Sequence, residues 1–455
     1  MALTVAVALF IHNLDATLIV TSLPQIAASF GIKPVDMSAS ISAYLLASAA
    51  LLPMSSWLAD RFGARRIFVS AIALFVLGSV GSGVARSFPL FIAGRIAQGI
   101  AGAMMVPVGR ALVLRQAEGA ALLNVMQLIT YPGLLAPVIA PVLGGVITTY
   151  TSWRFNFLLN VPLGIAGIVA ALRLMPAALA EKRRPLDVVG TVLLTTGMAS
   201  LLYSLEHFAA SGGHSLTLLA QAGFGAAALW YGKRHLRRSP HPLLDLSPFA
   251  VQTFRLMTLN VGLVFRTTIA VTPFLMPLLL QLGYGLTALQ GGTYLMIYFL
   301  ANVSVKPLNL WLLRHAGFRS VLIWNGVLSG VATAACGFVD PVAHGILTGI
   351  VLFVTGTTRS LQFSTMTFLT FADIPAHQRG AGTTLQSMVM PVASALGVAV
   401  SAALLQKTTL VHALTQPGLA EFRIAFVAIG LVGVLAAFGY FNLPRNAGAS
   451  MVPRG

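Results

Sequence analysis

The sequence predicts an all-α integral membrane protein, and three features support that fold class. Of the 455 residues, 57% are hydrophobic and only 9% are charged, whereas soluble proteins carry about 25% charged residues. The mean hydropathy is +0.86, and apolar segments recur along the whole chain. A net charge of +17 would suggest a nucleic-acid partner for a soluble protein, but this chain has no polar domain to carry such a surface. The composition therefore excludes a large soluble domain and nucleic-acid binding.

Apolar segments long enough to cross a membrane can be counted directly. A transmembrane helix needs about 20 mostly apolar residues, and fourteen segments of the chain approach or exceed this length. Their approximate limits are residues 2 to 22, 39 to 58, 67 to 85, 88 to 109, 120 to 148, 155 to 175, 188 to 206, 215 to 232, 256 to 282, 287 to 306, 319 to 339, 344 to 370, 381 to 405 and 422 to 442.

The basic residues test this count, because cytoplasmic loops are enriched in Lys and Arg. With the amino terminus inside, 20 of the 28 Lys and Arg residues fall on the cytoplasmic side and five on the outer side. The other three, Arg95, Arg266 and Arg359, lie within predicted spans. If one helix had been missed or added, every later loop would be assigned to the wrong side, and the separation of the basic residues would be lost. The pattern thus predicts about 14 transmembrane helices, both termini cytoplasmic, in a multi-pass protein of the inner membrane.

A short internal repeat predicts how the helices are grouped. The basic turn at residues 58 to 66 follows the second span, and a similar turn at residues 312 to 319 follows the tenth. Aligning Gly63 with Gly317 also aligns Arg65 with Arg319, as expected for a duplicated six-helix unit. We therefore expect a six-helix bundle at residues 1 to 175, two additional helices at 176 to 250, a second six-helix bundle at 251 to 442, and a cytoplasmic tail at 443 to 455.

Several motifs occur in an order that resembles a known family. They are Leu14-Asp15-Ala16-Thr17 with Leu23-Pro24, Trp57-Leu58-Ala59-Asp60-Arg61-Phe62-Gly63-Ala64-Arg65-Arg66, Arg95-Ile96-Ala97-Gln98-Gly99, Ala140-Pro141-Val142-Leu143-Gly144-Gly145, the segment from Trp153 to Gly164, and Pro185-Leu186-Asp187. Together they resemble the major facilitator superfamily, specifically its fourteen-helix drug:proton antiporter family. The chain departs from the family pattern at Ser56 and Ala140, where glycine is usual.

The resemblance implies a secondary transporter that exports hydrophobic small molecules, including cationic ones, in exchange for protons by alternating access. Its partners would be a small-molecule substrate, protons and membrane lipids, and it would act as a monomer. The proton gradient would supply the energy, so no cofactor and no enzymatic reaction are expected. A transporter or flippase for lipids or anionic metabolites, and a proton symporter for uptake, are the alternatives. With one cysteine and no Cys/His cluster of zinc-ligand spacing, the sequence predicts no metal site.

Asp15 is the only one of the eleven acidic residues that falls in the middle of a predicted span. A charge at the bilayer centre costs about 2.5 to 3.5 kcal/mol, so it is usually paired, neutralised or exposed to a cavity. Asp15 is therefore our candidate proton carrier, and His12, three residues earlier on the same helical face, could share its proton. The resemblance gives Arg95 a part in proton coupling. The alternatives are a static Asp15 ion pair, a structural pairing of Arg95, and a His12 that only packs.

The resemblance assigns two further groups of residues. The loop residues Asp60, Arg61, Gly63, Arg65 and Arg66 would form a conformational latch, although a basic cytoplasmic loop alone would explain the arginines. The antiporter motif of the fifth span would bend that helix, although a plain packing interface would have the same composition. Its residues are Pro137, Ala140, Pro141, Gly144 and Gly145.

Polar residues within the spans are candidates for the substrate cavity. Each alone could equally make a hydrogen bond between helices, and the arginines could contact carbonyls or reach the membrane surface. The candidates are Gln98, Gln127, Tyr131, Arg266, Tyr298, Asn302, Arg359 and Gln362.

Overall fold

The computed structural model describes residues 1–114, 120–176, 185–210, 215–240, 242–444 and 447–448. Within these ranges the regular structure is entirely helical, which confirms the predicted all-α membrane fold. Eleven helices of the described part are long and apolar enough to cross a membrane. A twelfth is added if the bent pair at 34–51 and 54–62, which turns by 57°, counts as one span. Pro53 precedes the second half of this pair, where it removes a main-chain donor.

The first eleven α-helices run from the amino terminus to the middle of the chain. They are α1 (Ala2–Leu18), α2 (Leu23–Phe30), α3 (Ser38–Leu51), α4 (Met54–Phe62), α5 (Ala64–Val84), α6 (Phe88–Leu114), α7 (Ala120–Tyr150), α8 (Arg154–Leu158), α9 (Asn160–Leu174), α10 (Val188–Ala210) and α11 (Leu216–Leu236).

Eight more α-helices complete the fold. They are α12 (Gln252–Thr258), α13 (Val261–Ile269), α14 (Val271–Leu278), α15 (Ala288–Ser304), α16 (Lys306–Ala335), α17 (Gly345–Ala372), α18 (Arg379–Val411) and α19 (Leu419–Phe438). The polypeptide is strongly kinked inside α16 at Gly317, where φ is 73°.

Every one of the fourteen predicted spans coincides with at least one helix, but the number fourteen and the sidedness of the termini stay predictions. The predicted spans 215 to 232 and 287 to 306 correspond to α11 and α15, which are not among the eleven apolar spans. Helix α15 has only 17 residues, which is short for a bilayer of about 30 Å. Helix α11 ends with Lys233, Arg234 and His235 in its last turn.

The described chain divides into two compact units. Unit 1 contains residues 1–204, 216–243 and 287–292, and unit 2 contains 205–215, 244–286 and 293–455. Each unit has its own apolar core. In unit 1, Val5, Phe68 and Met105 belong to a buried cluster drawn from α1, α5 and α6; the core of unit 2 includes Phe265 and Leu322.

Small residues set the closest helix crossings, as expected where lipid is as apolar as the side chains. Helices α5 and α6 meet at Gly78, where an added Cβ would lie 2.9 Å from the Gly94 carbonyl oxygen. In unit 2, Gly330 and Gly430 face each other across α16 and α19, and a Cβ on either would lie 2.6 Å from the carbonyl oxygen of the other. These contacts hold the helices close enough for the polar groups between them to meet.

Candidate functional site

A buried ion pair joins two helices of unit 1. Asp15 lies on α1 and Arg95 on α6, and Arg95 Nη1 is 2.6 Å from Asp15 Oδ2. Both side chains are 1% exposed. A charge so buried is costly unless an opposite charge and hydrogen bonds compensate it, and here each side chain compensates the other. The structure thus brings together the two residues that the sequence analysis singled out for proton coupling.

Two amides complete the shell around the Asp15 carboxylate. Gln98 Nε2 donates to Asp15 Oδ1 at 2.8 Å, and Asn160 Nδ2 donates to the same oxygen at 2.7 Å. The Gln98 carbonyl oxygen also accepts a hydrogen bond from Arg95 Nη1 at 2.7 Å. The hydroxyl of Ser79 accepts from Gln98 at 2.7 Å and from Asn160 at 3.2 Å. All five side chains are buried, so helices α1, α5, α6 and α9 converge on one polar centre.

The aromatic ring of Tyr44 packs on the guanidinium group of Arg95. The guanidinium carbon of Arg95 lies 4.4 Å from the centroid of the Tyr44 ring, a distance at which the ring face attracts a cation. The Tyr44 hydroxyl is 2.9 Å from His12 Nδ1. His12 therefore bonds to Tyr44, which is a different arrangement from the proton sharing with Asp15 considered from the sequence. Nε of Arg95 is buried and, among the described residues, has no hydrogen-bond partner.

Close packing makes this aromatic contact possible. A Cβ on Gly99 would collide with the main-chain oxygen of Tyr44 and would lie 2.9 Å from the Cβ of Ala47. A Cβ on Gly102 would lie 2.8 Å from His12 Nδ1. The two glycines sit four and seven positions after Arg95, so they share its face of α6 and allow α3 and α1 to approach it.

Three members of the shell were not identified as site residues from the sequence. Ser79 and Asn160 are neutral, and one serine or asparagine in a span does not stand out from ordinary hydrogen bonders between helices. Tyr44 is aromatic, and most aromatic residues in spans pack against neighbours. Asn160 had a weak signal, because it belongs to the segment from Trp153 to Gly164 that resembles a family signature.

The loop between α4 and α5 has the sharp turn that the latch hypothesis requires. Gly63 has φ of 91°, a value that residues with a Cβ rarely adopt. Arg65 donates a hydrogen bond to the main-chain oxygen of Leu172. Arg61 is exposed and lies over the Trp57 ring at 5.7 Å, and Arg66 is exposed.

Asp60 borders a cavity of about 310 Å³ on the same face of unit 1. Asp187, just before α10, borders it too, and its carboxylate joins the ends of two helices. It accepts hydrogen bonds from the Gly190 N–H at 2.8 Å and the Leu243 N–H at 3.1 Å, and lies 2.7 Å from His235 Nε2. Burial raises the pKa of Asp187, but these hydrogen bonds and the charge of His235 outweigh burial, so its pKa lies below the ordinary value.

The antiporter motif lies on α7, which contains three prolines at 132, 137 and 141. Ala140, Pro141, Gly144 and Gly145 are buried, and Pro137 is half-buried. A Cβ on Gly144 would lie 2.8 Å from Thr21 Oγ1 and 2.9 Å from the Leu18 oxygen. The motif therefore packs directly on the end of α1, the helix that carries Asp15.

The two candidate cavity residues of unit 1 whose side chains are described lie in different surroundings. Gln98 belongs to the Asp15 shell, whereas Tyr131 is 59% exposed. Gln127 lies on α7, but its side chain is outside the described part of the structure.

The candidates of unit 2 lie on α13, α15 and α17. Gln362 is fully buried; its amide donates to the Leu322 oxygen at 3.0 Å and accepts from Asn325 at 2.9 Å. The Asn302 main-chain oxygen accepts from Ser360 at 2.7 Å. Tyr298 is buried beneath Arg359, whose guanidinium carbon lies 5.3 Å from its ring centroid. Arg266 is 2% exposed. The Gln362 amide thus joins α17 to α16, while the two arginines lack described acidic partners.

A bundle of apolar helices in two units, with a charged centre buried inside one of them, is the architecture of a multi-pass membrane transporter. The sequence profile of the Major Facilitator Superfamily matches residues 5–398. The chain therefore belongs to the major facilitator superfamily, and it is a transporter rather than an enzyme.

Relatives and solved structures agree with this assignment. The chain is 34% identical over 432 residues to "Putative multidrug resistance protein MdtD" of Pectobacterium atrosepticum, covering 95% of this chain and 92% of that protein. It is 33% identical to the protein of the same name from Serratia proteamaculans, covering 97% and 93%. Its fold is similar to the crystal structure of a D-xylose-proton symporter, with a TM-score of 0.68, 14% identity, and coverage of 98% of each chain.

Proposed function

We propose that the chain is a proton-coupled antiporter of the inner membrane that exports hydrophobic small molecules, including cationic ones, with Asp15 as the proton carrier. The observation that carries this proposal is the buried Asp15–Arg95 pair. The names of the relatives support multidrug export as the physiological role. The proton gradient supplies the energy without a cofactor, and one chain suffices for the cycle.

Protonation of Asp15 changes the energy of the whole centre. Arg95 keeps its charge at every relevant pH, so a neutral Asp15 leaves a buried cation without its counter-ion. Loss of one partner of a buried pair costs about 3 to 5 kcal/mol. A two-state equilibrium needs about 5.5 kcal/mol to move from 1:99 to 99:1. Protonation alone therefore supplies much of the energy needed to favour a second arrangement of α1 and α6.

The groups around Asp15 determine which hydrogen bonds must change in a second arrangement of α1 and α6. Gln98 and Asn160 donate to the charged carboxylate, so both lose part of their bonding when Asp15 becomes neutral. Arg95 would then rely on Tyr44, Gln98 and any new acceptor for its unpartnered Nε. The packing of Gly144 against α1 transmits a shift of α1 to α7. The loop around Asp60 would stabilise one of the two access states.

The test measures proton movement in sealed inside-out vesicles that contain the protein. A panel of cationic, neutral and anionic hydrophobic compounds is added to the wild type, to Asp15→Asn and to Asp245→Asn, whose carboxylate is exposed and serves as the matched control. We expect at least one compound to release protons with the wild type and with Asp245→Asn, and none with Asp15→Asn. Full proton-coupled transport by Asp15→Asn would refute the proposal.

The alternative functions predict different proton movements in the same assay. A symporter for uptake would move protons in the same direction as its substrate, and an uncoupled lipid transporter or flippase would move none.

A folded Arg95→Gln variant gives a second test, because its neutral side chain no longer forms an ion pair with Asp15. We expect it to bind compounds but to lose the coupling between transport and the proton gradient.

A further inference from the structure

Unit 2 contains a buried arginine that has no counter-ion among the described residues. Arg266 on α13 is 2% exposed, and among the described residues its only hydrogen bond runs from Nη1 to the Met390 sulfur at 2.7 Å, a weak acceptor. Its Nε and Nη2 are buried and, within the described residues, have no hydrogen-bond partner. Arg95 of unit 1 differs, because a carboxylate compensates it.

A second arginine of unit 2 lies on α17. Arg359 on α17 is half-buried, and its Nε and Nη1 also lack hydrogen-bond partners among the described residues. Its guanidinium lies over Tyr298, while that of Arg266 lies 5.5 Å from the Phe363 ring centroid. Phe363 is four residues after Arg359, so both belong to one face of α17. The Arg266 guanidinium therefore packs on the face of α17 that also carries Arg359.

None of the described acids of unit 2 is seen to pair with Arg266 or Arg359, and Asp373 is exposed. Glu421 is 2.6 Å from His412 and accepts from the Gly418 N–H, Asp340 accepts from main-chain N–H groups of its own loop, and Asp245 binds Ser247. None of the described salt bridges includes Arg266 or Arg359. A buried guanidinium with free donors in an apolar bundle is costly, and an anionic ligand would remove that cost.

We propose that Arg266 and Arg359 form a binding site for the acidic group of an amphiphilic aromatic carboxylate or sulfonate. The planar guanidinium fork matches two oxygens of such a group, and the rings of Tyr298 and Phe363, which pack on the two guanidinium groups, would contact its aromatic part. This inference rests on the transport function proposed above and extends its substrate class to organic anions.

The first test is equilibrium binding to the wild-type protein in nanodiscs, measured by titration calorimetry. The probes are 2-naphthylacetate, the neutral 2-naphthylacetamide and the cationic 2-naphthylethylammonium, which share one ring system. We expect the carboxylate to bind more tightly than the amide by about ten- to a hundredfold, the value of one or two charged hydrogen bonds. Equal or weaker binding of the carboxylate would overturn the proposal, and this result needs no variant.

The second test locates the site. Arg266→Gln and Arg359→Gln should each reduce carboxylate affinity at least about tenfold and leave amide affinity unchanged. Arg314→Gln, which removes an exposed arginine from α16, should change neither. Unchanged carboxylate binding in both site variants, or equal losses for the carboxylate and the amide, would contradict the assignment. Should Arg266→Gln fail to fold, the half-exposed Arg359 still permits the comparison.

The binding and proton assays separate this inference from the proposed antiport. If neutral or cationic probes release protons through Asp15 while the carboxylate binds no better than the amide, the anion site is refuted and antiport stands. If the carboxylate binds through the two arginines but neither these probes nor any compound of the panel moves protons, antiport is refuted and the anion site stands.

Discussion

Arg65 and Arg319 make the same contact in two different units. Each comes two residues after a glycine with positive φ, Gly63 at 91° and Gly317 at 73°. Each donates to a main-chain oxygen near the end of a later helix, Arg65 to Leu172 and Arg319 to Phe441. The shared geometry extends the short sequence repeat into a structural one. Arg314 occupies the position equivalent to Asp60, so the acidic component of the turn belongs to unit 1 alone.

The two turn glycines should not tolerate a side chain. Gly63→Ala and Gly317→Ala place a Cβ on a backbone with positive φ, which costs about 1 to 3 kcal/mol. We expect each to lower the free energy of unfolding by that amount in reversible denaturation from detergent. Gly380→Ala is the control, because Gly380 is helical and its added Cβ would meet no atom within 4 Å. Equal stability of all three variants would show that the turns are not strained by alanine.

Asn160 should contribute more stability than an asparagine with a neutral partner. Asn160→Ala removes a hydrogen bond to a charged carboxylate, worth about 1.5 to 3 kcal/mol. Asn13→Ala removes a bond to the Gly133 main-chain oxygen, worth about 0.5 to 1.5 kcal/mol. The unfolding free energies of both variants measure the difference. A smaller loss for Asn160→Ala than for Asn13→Ala would mean that Asp15 does not depend on this donor.

The contribution of Asp187 to the stability of the folded state should be lost at acidic pH. Its folded pKa lies below the ordinary 3.8, so the folded state releases this proton more readily than the unfolded state. The stabilisation is therefore complete above the ordinary pKa and is lost as pH falls through the folded pKa. The melting-temperature difference between wild type and Asp187→Asn should shrink as pH falls below about 4. A difference that grows below about pH 4 would contradict this linkage.

Gly144 should be sensitive to a single added methyl group. Gly144→Ala forces a Cβ to within 2.9 Å of the Leu18 oxygen, and overpacking of this kind costs about 1 to 3 kcal/mol. Gly223→Ala, whose Cβ would meet nothing within 4 Å, should instead stabilise α11 by up to about 1 kcal/mol. Thermal unfolding compares the two. Counterflow transport by Gly144→Ala then reports whether the α1–α7 contact also controls function, which pure packing would not require.

The fold class and the pair of residues at the centre of the candidate site can be recognised in the sequence for one physical reason. A charge inside an apolar span is expensive, so Asp15 and Arg95 stand out from their surroundings, and helix periodicity places Gln98 on the same face as Arg95. The lengths of the apolar segments located most helices, but α2 and the part of α16 before Gly317 lie outside the predicted spans. The family membership that the motifs indicated is confirmed by the match over residues 5–398.

The remaining features depend on contacts between distant segments. Asn160 reaches Asp15, and Ser79 reaches Gln98 and Asn160, because α5, α6 and α9 lie close together around this centre. The bond from His12 to Tyr44, rather than to Asp15, follows from the position of α3, which no local pattern specifies. Helices α11 and α15 are less apolar or shorter than typical spans, so fourteen remains a prediction based on charge distribution.

Gly99 has an electrostatic consequence although it carries no charge. Its missing side chain sets the spacing between α3 and α6, and that spacing keeps the Tyr44 ring against Arg95. A larger residue would move the ring away and leave Arg95 freer to reorient around Asp15. The size of the residue at position 99 therefore influences the electric field at the Asp15 carboxylate. A substitution there changes no charge.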